Sequence, residues 1–435
     1  MTNTIVFIAA LVLAIVLGQK LKTNVGAIAL VFAFVCGSVF FKMTPNQVAS
    51  CFPVSLFFYM FIGSYFYGFG IDNGTFQNVA QKILYRSRRV TKVMPIILYA
   101  IGLIVTALGA GTTAGPVFLS PIVFSIILEM GVHPLLGAMA VFGGTMGASM
   151  LPWTSDFAQR TGMLVQSLGA EGANKVGLVA CAYNLLFMTI CFLVAFIITK
   201  GYKGKAPANI EAAPPMDREQ RITLAVICTL AALIVLPVII DSFFKNPVTT
   251  WMKTYMDFRL LATVGAFICH LCKLGDIQTV LKTRVPWNAI VAVCCTGTLV
   301  GMAQQIGVAD TIGSWIAESI PSYLVAPLFT IVCGALSLVV SGSVLVPMMA
   351  GLIPGLAATS GLNPLALGSS ELAAIQFAGF SQFTMGGTMA VIGCTDEKVK
   401  SGLVVPMIIV AVLFVAATAL CSGLGLFEWV YSILG

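Results

Sequence analysis

Charge is what this chain has least of. Only 9% of its 435 residues are Asp, Glu, Lys or Arg, against roughly 25% in an ordinary soluble domain. A water-facing exterior all round is therefore excluded. Histidine is scarcer still, with only His133 and His270, so a catalytic metal centre or a Ser/His hydrolase has almost no material to draw on. No Gly-x-x-x-x-Gly-Lys-Ser/Thr run occurs, which excludes ATP-driven work by this chain alone. Long polar stretches are also missing, apart from Gly201–Gln220. The chain is read as a non-enzyme with no cofactor and no bound catalytic metal.

The twelve cysteines are not scarce, but they are scattered singly, apart from adjacent Cys294 and Cys295. Cys269 and Cys272 have metal-ligand spacing without a second pair, so they read as small packing residues. Arg86-Ser87-Arg88-Arg89 is read as a turn against the membrane surface, not a nucleic-acid patch, because no reading module surrounds it.

What is abundant is apolar. Hydrophobic residues make up 59% and the mean hydropathy is +1.00. Ten runs read as spans, at 4–18, 24–41, 51–70, 134–165 (broken), 177–199, 221–241, 258–272, 286–302, 364–395 (broken) and 402–424. Most approach the ~20 residues that cross a bilayer as a helix. The first run lacks a basic leader and a cleavage site, so it is read as a retained span. The expected class is an all-α integral membrane protein, multi-pass, in the cell membrane and specifically a bacterial inner membrane. Basic residues split 17 to 6 between alternate loops. The rule that basic loops stay inside then puts both termini outside.

The runs repeat. Asn24–Phe41 and Asp257–Leu274 are apolar segments of equal length, and Phe52-Pro53 opens one span as Val285-Pro286 opens a later one. Gly131-Val132-His133-Pro134-Leu135 returns at nearly the same interval as Gly361-Leu362-Asn363-Pro364-Leu365. The first repeat is 1–200, with scaffold spans 1–92, hairpin and broken helix 93–165, and span 177–199. A flexible cytoplasmic linker, 201–220, leads to the second repeat, 221–435, with scaffold spans 221–302, hairpin and broken helix 321–395, and span 402–424. Five spans per half would invert the second copy in the membrane, the architecture of secondary transporters.

Two segments, Val93–Met130 and Pro321–Ser360, are apolar yet split by small residues. They are expected to re-enter the membrane and turn at Gly111-Thr112-Thr113 and Ser341-Gly342-Ser343. Non-helical backbone at membrane depth needs protein or a polar cavity around it. The helices that follow have weak middles, Gly143–Pro152 and Gly379–Gly387. A break there frees amide N–H groups for a carboxylate and carbonyls for Na⁺. Substrate contacts are thus expected from Gly111, Thr112, Thr113, Ser149, Pro152, Ser341, Gly342, Ser343, Ser381 and Thr384. A Na⁺ ion, if used, is expected near Gly111, Thr112, Gly147, Ser341, Gly342 and Gly379. The charge candidates are Glu371, whose repeat partner is Val141, and Asp156 with Arg160, four apart and able to pair on a helix.

Several of these stretches resemble a known family. Cys51–Phe57, Gly70–Thr75, Gly109-Ala110-Gly111 and Gly147–Pro152 are similar to the N-terminal half of the MatC-type dicarboxylate (malonate) carriers. These belong to the ion transporter superfamily, with the divalent anion/sodium symporters. The resemblance is clearest over residues 20–165. It implies a scaffold that dimerises and a transport domain of hairpins and broken helices that slides as an elevator. In the divalent anion symporters each tip resembles Ser-Asn-Thr and holds sodium and a substrate carboxylate. Here the tips keep hydroxyls and lack both Asn amides, which leaves the coupling ion open between Na⁺ and H⁺.

The expected function is secondary active transport of a small organic anion, a C3 or C4 dicarboxylate, by a homodimer in the lipid bilayer with no nucleic-acid partner. The alternative is a cation/proton antiporter on the same fold. It would need buried carboxylates as ion ligands, and only Glu371 and Asp156 are at hand. A membrane enzyme lacks its side chains, and a passive channel has no use for broken helices in inverted copies.

Overall fold

The computed structural model describes residues 2–21, 23–88, 90–205, 212–243, 246–308, 311, 320–338 and 342–434. Among them every regular element is helical, with no strand. The first three apolar runs form Thr2–Lys20, Val25–Val39 and Val54–Asp72. The matching runs of the second half form Arg218–Phe243, Phe258–Leu271 and Trp287–Gln305. Asn24 and Asp257 occupy equivalent N-cap positions. Their side chains accept from the amides of Gly26 and Arg259, respectively, satisfying donors that the helix start leaves open.

The packing of these helices is reciprocal. Val25–Val39 lies on Trp287–Gln305, while Phe258–Leu271 lies on Val54–Asp72. The first contact is backbone to backbone, since a Cβ on Gly26 would sit 2.3 Å from the Val291 carbonyl oxygen.

Glycine and proline cut many apolar runs into pieces. Val25–Val39, at 15 residues, rises about 22 Å, short of the ~30 Å hydrocarbon layer. Among the described residues, two helices can cross a membrane alone by length and composition, Ser155–Ile198 and Glu397–Gly423. Two further candidates are bent pairs, Ile277–Arg284 with Trp287–Met302 (56°) and Gly342–Ala350 with Ile353–Ser360 (42°). Exposed apolar residues such as Leu186, Ile190, Ile197, Val405, Ile409 and Leu413 give these helices faces that suit hydrocarbon.

In the first hairpin, Met94–Val105 leads into a wide turn at Thr106–Ala110, and Gly111–Glu129 returns. The turn needs glycine, because Gly109 has a φ of 106° and a Cβ there would sit 2.0 Å from the Tyr67 ring. Two hydrogen bonds fix the tip. The Trp153 indole N–H donates to the Ala107 carbonyl at 2.6 Å, and the Tyr67 hydroxyl donates to the Trp153 carbonyl. The second hairpin has arms Ser322–Ser337 and Gly342–Ala350, the latter bending into Ile353–Ser360. That bend was not foreseen in the sequence. Residues 339–341, including the expected tip residue Ser341, lie outside the described residues.

The two broken helices are built alike. Pro134–Gly147 and Pro364–Ala378 start at His133 and Asn363, whose side chains accept from Leu135 and Leu365 amides. At the first break the Thr154 hydroxyl donates to the carbonyls of Ser149 (2.6 Å) and Leu151 (2.8 Å) and accepts from the Phe157 amide (3.2 Å). At the second, Thr384 donates to Gly379 (2.7 Å) and Ser381 (2.7 Å) and accepts from Gly387 (3.4 Å). Each partner at the second break is the repeat counterpart of a partner at the first, displaced by the same interval as the threonine itself.

Two sequence expectations need adjusting. Residues 166–176, left between spans by the sequence, are part of the helical trace Ser155–Ile198, which is interrupted at Gly169 (φ 71°, ψ 168°). Its polar stretch tolerates helix, with Glu171 and Lys175 paired at 3.3 Å one turn apart. The linker, expected to be flexible, is held on both sides of its undescribed centre, 206–211. The Lys205 amide donates to the Met130 carbonyl, Asn78 to the Pro214 carbonyl, and Gln220 to the Asn73 carbonyl.

Candidate binding cavity

Both hairpins and both broken helices close around one cavity of about 420 Å³. Thr112 and Pro116 come from the first hairpin, and Ser337, Gly342 and Ser343 from the second. Thr145, Met146, Asp156, Gln159 and Arg160 come from the first broken helix, and Gln376, Gly379, Phe383 and Thr384 from the second. Hydrogen bonds between hairpins and broken helices tie this assembly together, across the halves at Ser120 and within the second half at Ser337. The Ser120 hydroxyl donates to the Ala390 carbonyl (2.8 Å) and accepts from the Gly393 amide (3.0 Å). The Ser337 hydroxyl donates to the Ile375 carbonyl at 3.0 Å. Phe142 and Phe380 pack their rings 5.1 Å apart between the two breaks.

The charged side chains lining the cavity, among the described residues, are Asp156 and Arg160. The expected pair does not form directly. Instead, the Thr112 amide donates to an Asp156 carboxylate oxygen at 2.8 Å, so this acid at the start of Ser155–Ile198 binds the hairpin tip. Arg160 turns toward Gln376. With the Gln376 amide oriented by its neighbours, its oxygen accepts from the guanidinium at 3.1 and 3.3 Å and its nitrogen donates to Asn184 at 3.2 Å. Arg160 thus has a neutral dipole as its partner at the cavity wall, and a guanidinium in such surroundings suits a carboxylate.

The sequence-selected residues separate into groups. Thr112, Gly342, Ser343, Gly379, Thr384, Asp156 and Arg160 meet at the cavity. Gly111 lies beside it, where a Cβ would be 3.6 Å from an Asp156 oxygen. Ser341 and the side chain of Thr113 lie outside the described residues. Ser149 and Ser381 are fully buried and do not line the cavity. The Ser149 hydroxyl donates to the Met146 carbonyl and that of Ser381 accepts from the Phe383 amide, because a helix break consumes nearby hydroxyls to satisfy its own backbone. Pro152 sits in the turn, away from the lining. Gly147 faces Leu103 and Tyr99. Glu371 is also absent from the lining; it is fully buried, and neither carboxyl oxygen has a hydrogen-bond partner of ordinary geometry among the described residues.

Sequence reading missed Gln376, Asn184 and Ser337. Gln376 and Asn184 were visible as single amides inside apolar runs, the kind of residue a membrane interior retains for a reason. A larger hollow, about 640 Å³, lies between Ser322–Ser337 and Val404–Gly423, but its lining of Pro327, Ile331, Val412, Val415, Leu420 and other apolar residues offers nothing to orient an anion.

Comparison with known proteins bears on this geometry. Residues 1–149 match the family model described as the dicarboxylate carrier protein MatC N-terminus. No curated protein matches the chain. Among solved structures, the chain is similar to the Alcanivorax borkumensis YdaH transporter, with a TM-score of 0.58 and 14% identity over 98% of each chain. It is also similar to Neisseria gonorrhoeae MtrF, from a class of antimetabolite efflux pumps, with a TM-score of 0.55 and 13% identity over 96% of this chain and 94% of that one. At such identities the likeness is one of fold, and the fold is that of transporters.

Proposed function

We propose that this chain is a secondary active transporter of a small organic anion, with C3 and C4 dicarboxylates as its substrates and a Na⁺ or H⁺ gradient as its driving force. The observation that carries the reading is Arg160, a cation lining the cavity whose hydrogen-bond partner is the neutral Gln376 amide, while the nearby Asp156 carboxylate acts on it only through space and accepts from the Thr112 amide. A cation in a weakly polar site is stabilised by an incoming anion, and a guanidinium binds carboxylate through two parallel N–H donors. The start of the helix Gly342–Ala350, at Gly342 and Ser343 in the same lining, offers backbone amides to a second carboxylate. The match of residues 1–149 to a dicarboxylate carrier model supports the same substrate class.

The matched caps and breaks, Asn24 with Asp257 and Thr154 with Thr384, support two structural repeats. Ten spans in inverted five-span halves is the topology that goes with them. Hairpins and broken helices, joined through Ser120 and Ser337, then move as one body past a dimeric scaffold, in an elevator cycle. In such a cycle the Tyr67–Trp153 contact is one that must break.

Purified protein in liposomes tests the reading. Radiolabelled malonate should accumulate saturably under an inward Na⁺ or pH gradient and be displaced by succinate. Folded, correctly inserted protein that moves no dicarboxylate under either gradient would refute it.

A further inference from the structure

Glu371 lies outside the cavity, yet it stands one helical turn below it. It shares a face of Pro364–Ala378 with Ile375, four residues on. Ile375 is the residue that the second hairpin covers. The Ser337 hydroxyl bonds its carbonyl, and a Cβ on Gly342 would sit 3.0 Å from its side chain. One turn down, the same ladder continues. Cys333, four residues before Ser337, stands close enough to Glu371 for the two to interact electrostatically, and the end of the other arm turns the Ala350 backbone toward the carboxyl. Both arms of the hairpin thus seal a carboxyl group that is fully buried and makes no hydrogen bond of ordinary geometry.

Among the described residues, no charged side chain acts on it. Cys333 is the titratable group facing it among the described residues. The arm Gly342–Ala350, the following Ile353–Ser360, and Val404–Gly423 contain no Asp, Glu, Lys, Arg or His. The helix Ser155–Ile198 directs Asn184 to Gln376, and Tyr431 bonds Ser369. An ionised carboxylate with no partner in an apolar seal is strongly disfavoured. The closed hairpin is therefore compatible with the neutral acid only.

From this we propose that Glu371 is a proton-binding site that couples closure of the second hairpin to proton uptake. With the acid neutral, Cys333 and Ala350 close over it and Gly342 and Ser343 are brought to the cavity. When the hairpin lifts, water reaches the carboxyl, the O–H proton passes to water, and the carboxylate then holds the hairpin open until it is reprotonated. The proposal rests on the transport reading above, but the hairpin's response to pH does not depend on what the substrate is.

The test uses the native Cys333 as a reporter, in full-length protein whose other cysteines are replaced, without added substrate. Labelling by a small membrane-permeant thiol reagent reports hairpin opening. Because thiol reactivity itself rises with pH, the informative quantity is the ratio between the wild-type acid and Glu371→Gln, which keeps shape and removes titration. Glu371→Met, of similar volume, guards against a folding artefact in the amide variant. If hairpin closure takes up one proton, the ratio of closed to open protein falls about tenfold per pH unit above the titration point of the open site. The expected result is labelling of Cys333 that climbs with pH in the wild type and exceeds both variants at least about tenfold at alkaline pH. Equal labelling of wild type and both variants across pH would overturn the proton site, even if dicarboxylate uptake is found. Conversely, pH-gated labelling in a protein that moves no dicarboxylate would uphold the site and refute only the substrate.

Discussion

The turns at Ser149–Phe157 and Gly379–Gly387 use the same hydrogen bonds, threonine for threonine, yet they differ completely in what they bring to the cavity. The first carries Asp156 and Arg160; at the equivalent positions of its repeat, the second has Gly386 and Ala390. In reverse, Gln376 and Glu371 of the second broken helix correspond to Met146 and Val141 of the first. Symmetry therefore belongs to the frame, to caps and breaks whose backbone demands are identical in both halves. The ionisable and amide side chains stand where the halves depart from one another, and it is they that give the cavity its polarity.

The sharpest way to break the frame is at the first hairpin's tip. Gly109→Ala must adopt a φ of 106° and displace the Tyr67 ring, a combination expected to cost about 3 kcal/mol. Gly131→Ala, also at positive φ but with nothing within 4 Å of its Cβ, should cost about 1 kcal/mol. Thermal unfolding of the two variants in detergent measures the contrast, and equal losses would mean that the Tyr67 contact is not what fixes the turn.

A smaller effect is expected from Asp156→Asn, which keeps an acceptor for the Thr112 amide but removes its charge, weakening that bond by about 1–1.5 kcal/mol. No counterpart exists in the second half, because Gly386 has no side chain. Hydrogen exchange should therefore speed up at Thr106–Thr112 and stay unchanged at Gly379–Gly387. Faster exchange at both breaks would show that the halves are coupled more tightly than their hydrogen bonds indicate.

Smallest of all should be the matched pair Thr154→Ala and Thr384→Ala. Each loses one cap that bridges a break, about 1 kcal/mol. The two shifts in unfolding temperature should agree. A large inequality would show that the shared geometry hides different loads.

Much of this frame was legible in the sequence, for a physical reason. Pro134 and Pro364 each follow a capping residue, and glycine-rich stretches such as Gly143–Gly147 mark where a helix gives way; these are backbone requirements that few residue types meet. The destination of side chains was less legible. Ser149 and Ser381 looked like ligands because they are polar and sit at breaks, but the breaks use such hydroxyls on themselves. Asp156 and Arg160, expected to pair with each other, instead bond Thr112 and Gln376, which belong to distant elements of the chain and leave no local trace. The bend between Ala350 and Ile353 does carry a local signal, Gly351 followed by Pro354 at the start of the next helix, which reading the segment as one apolar arm passed over.

The proposed anion site rests on a departure from symmetry, Arg160. Replacing it with its repeat counterpart, Arg160→Ala, tests this most directly, by titrating malonate into purified wild type and variant and reading the heat of binding. Loss of hydrogen bonds to a charged group, about 1.5–3 kcal/mol, should weaken binding at least tenfold while the unfolding temperature stays near that of the wild type. Malonate binding of equal affinity in both proteins would mean that Arg160 does not hold the anion.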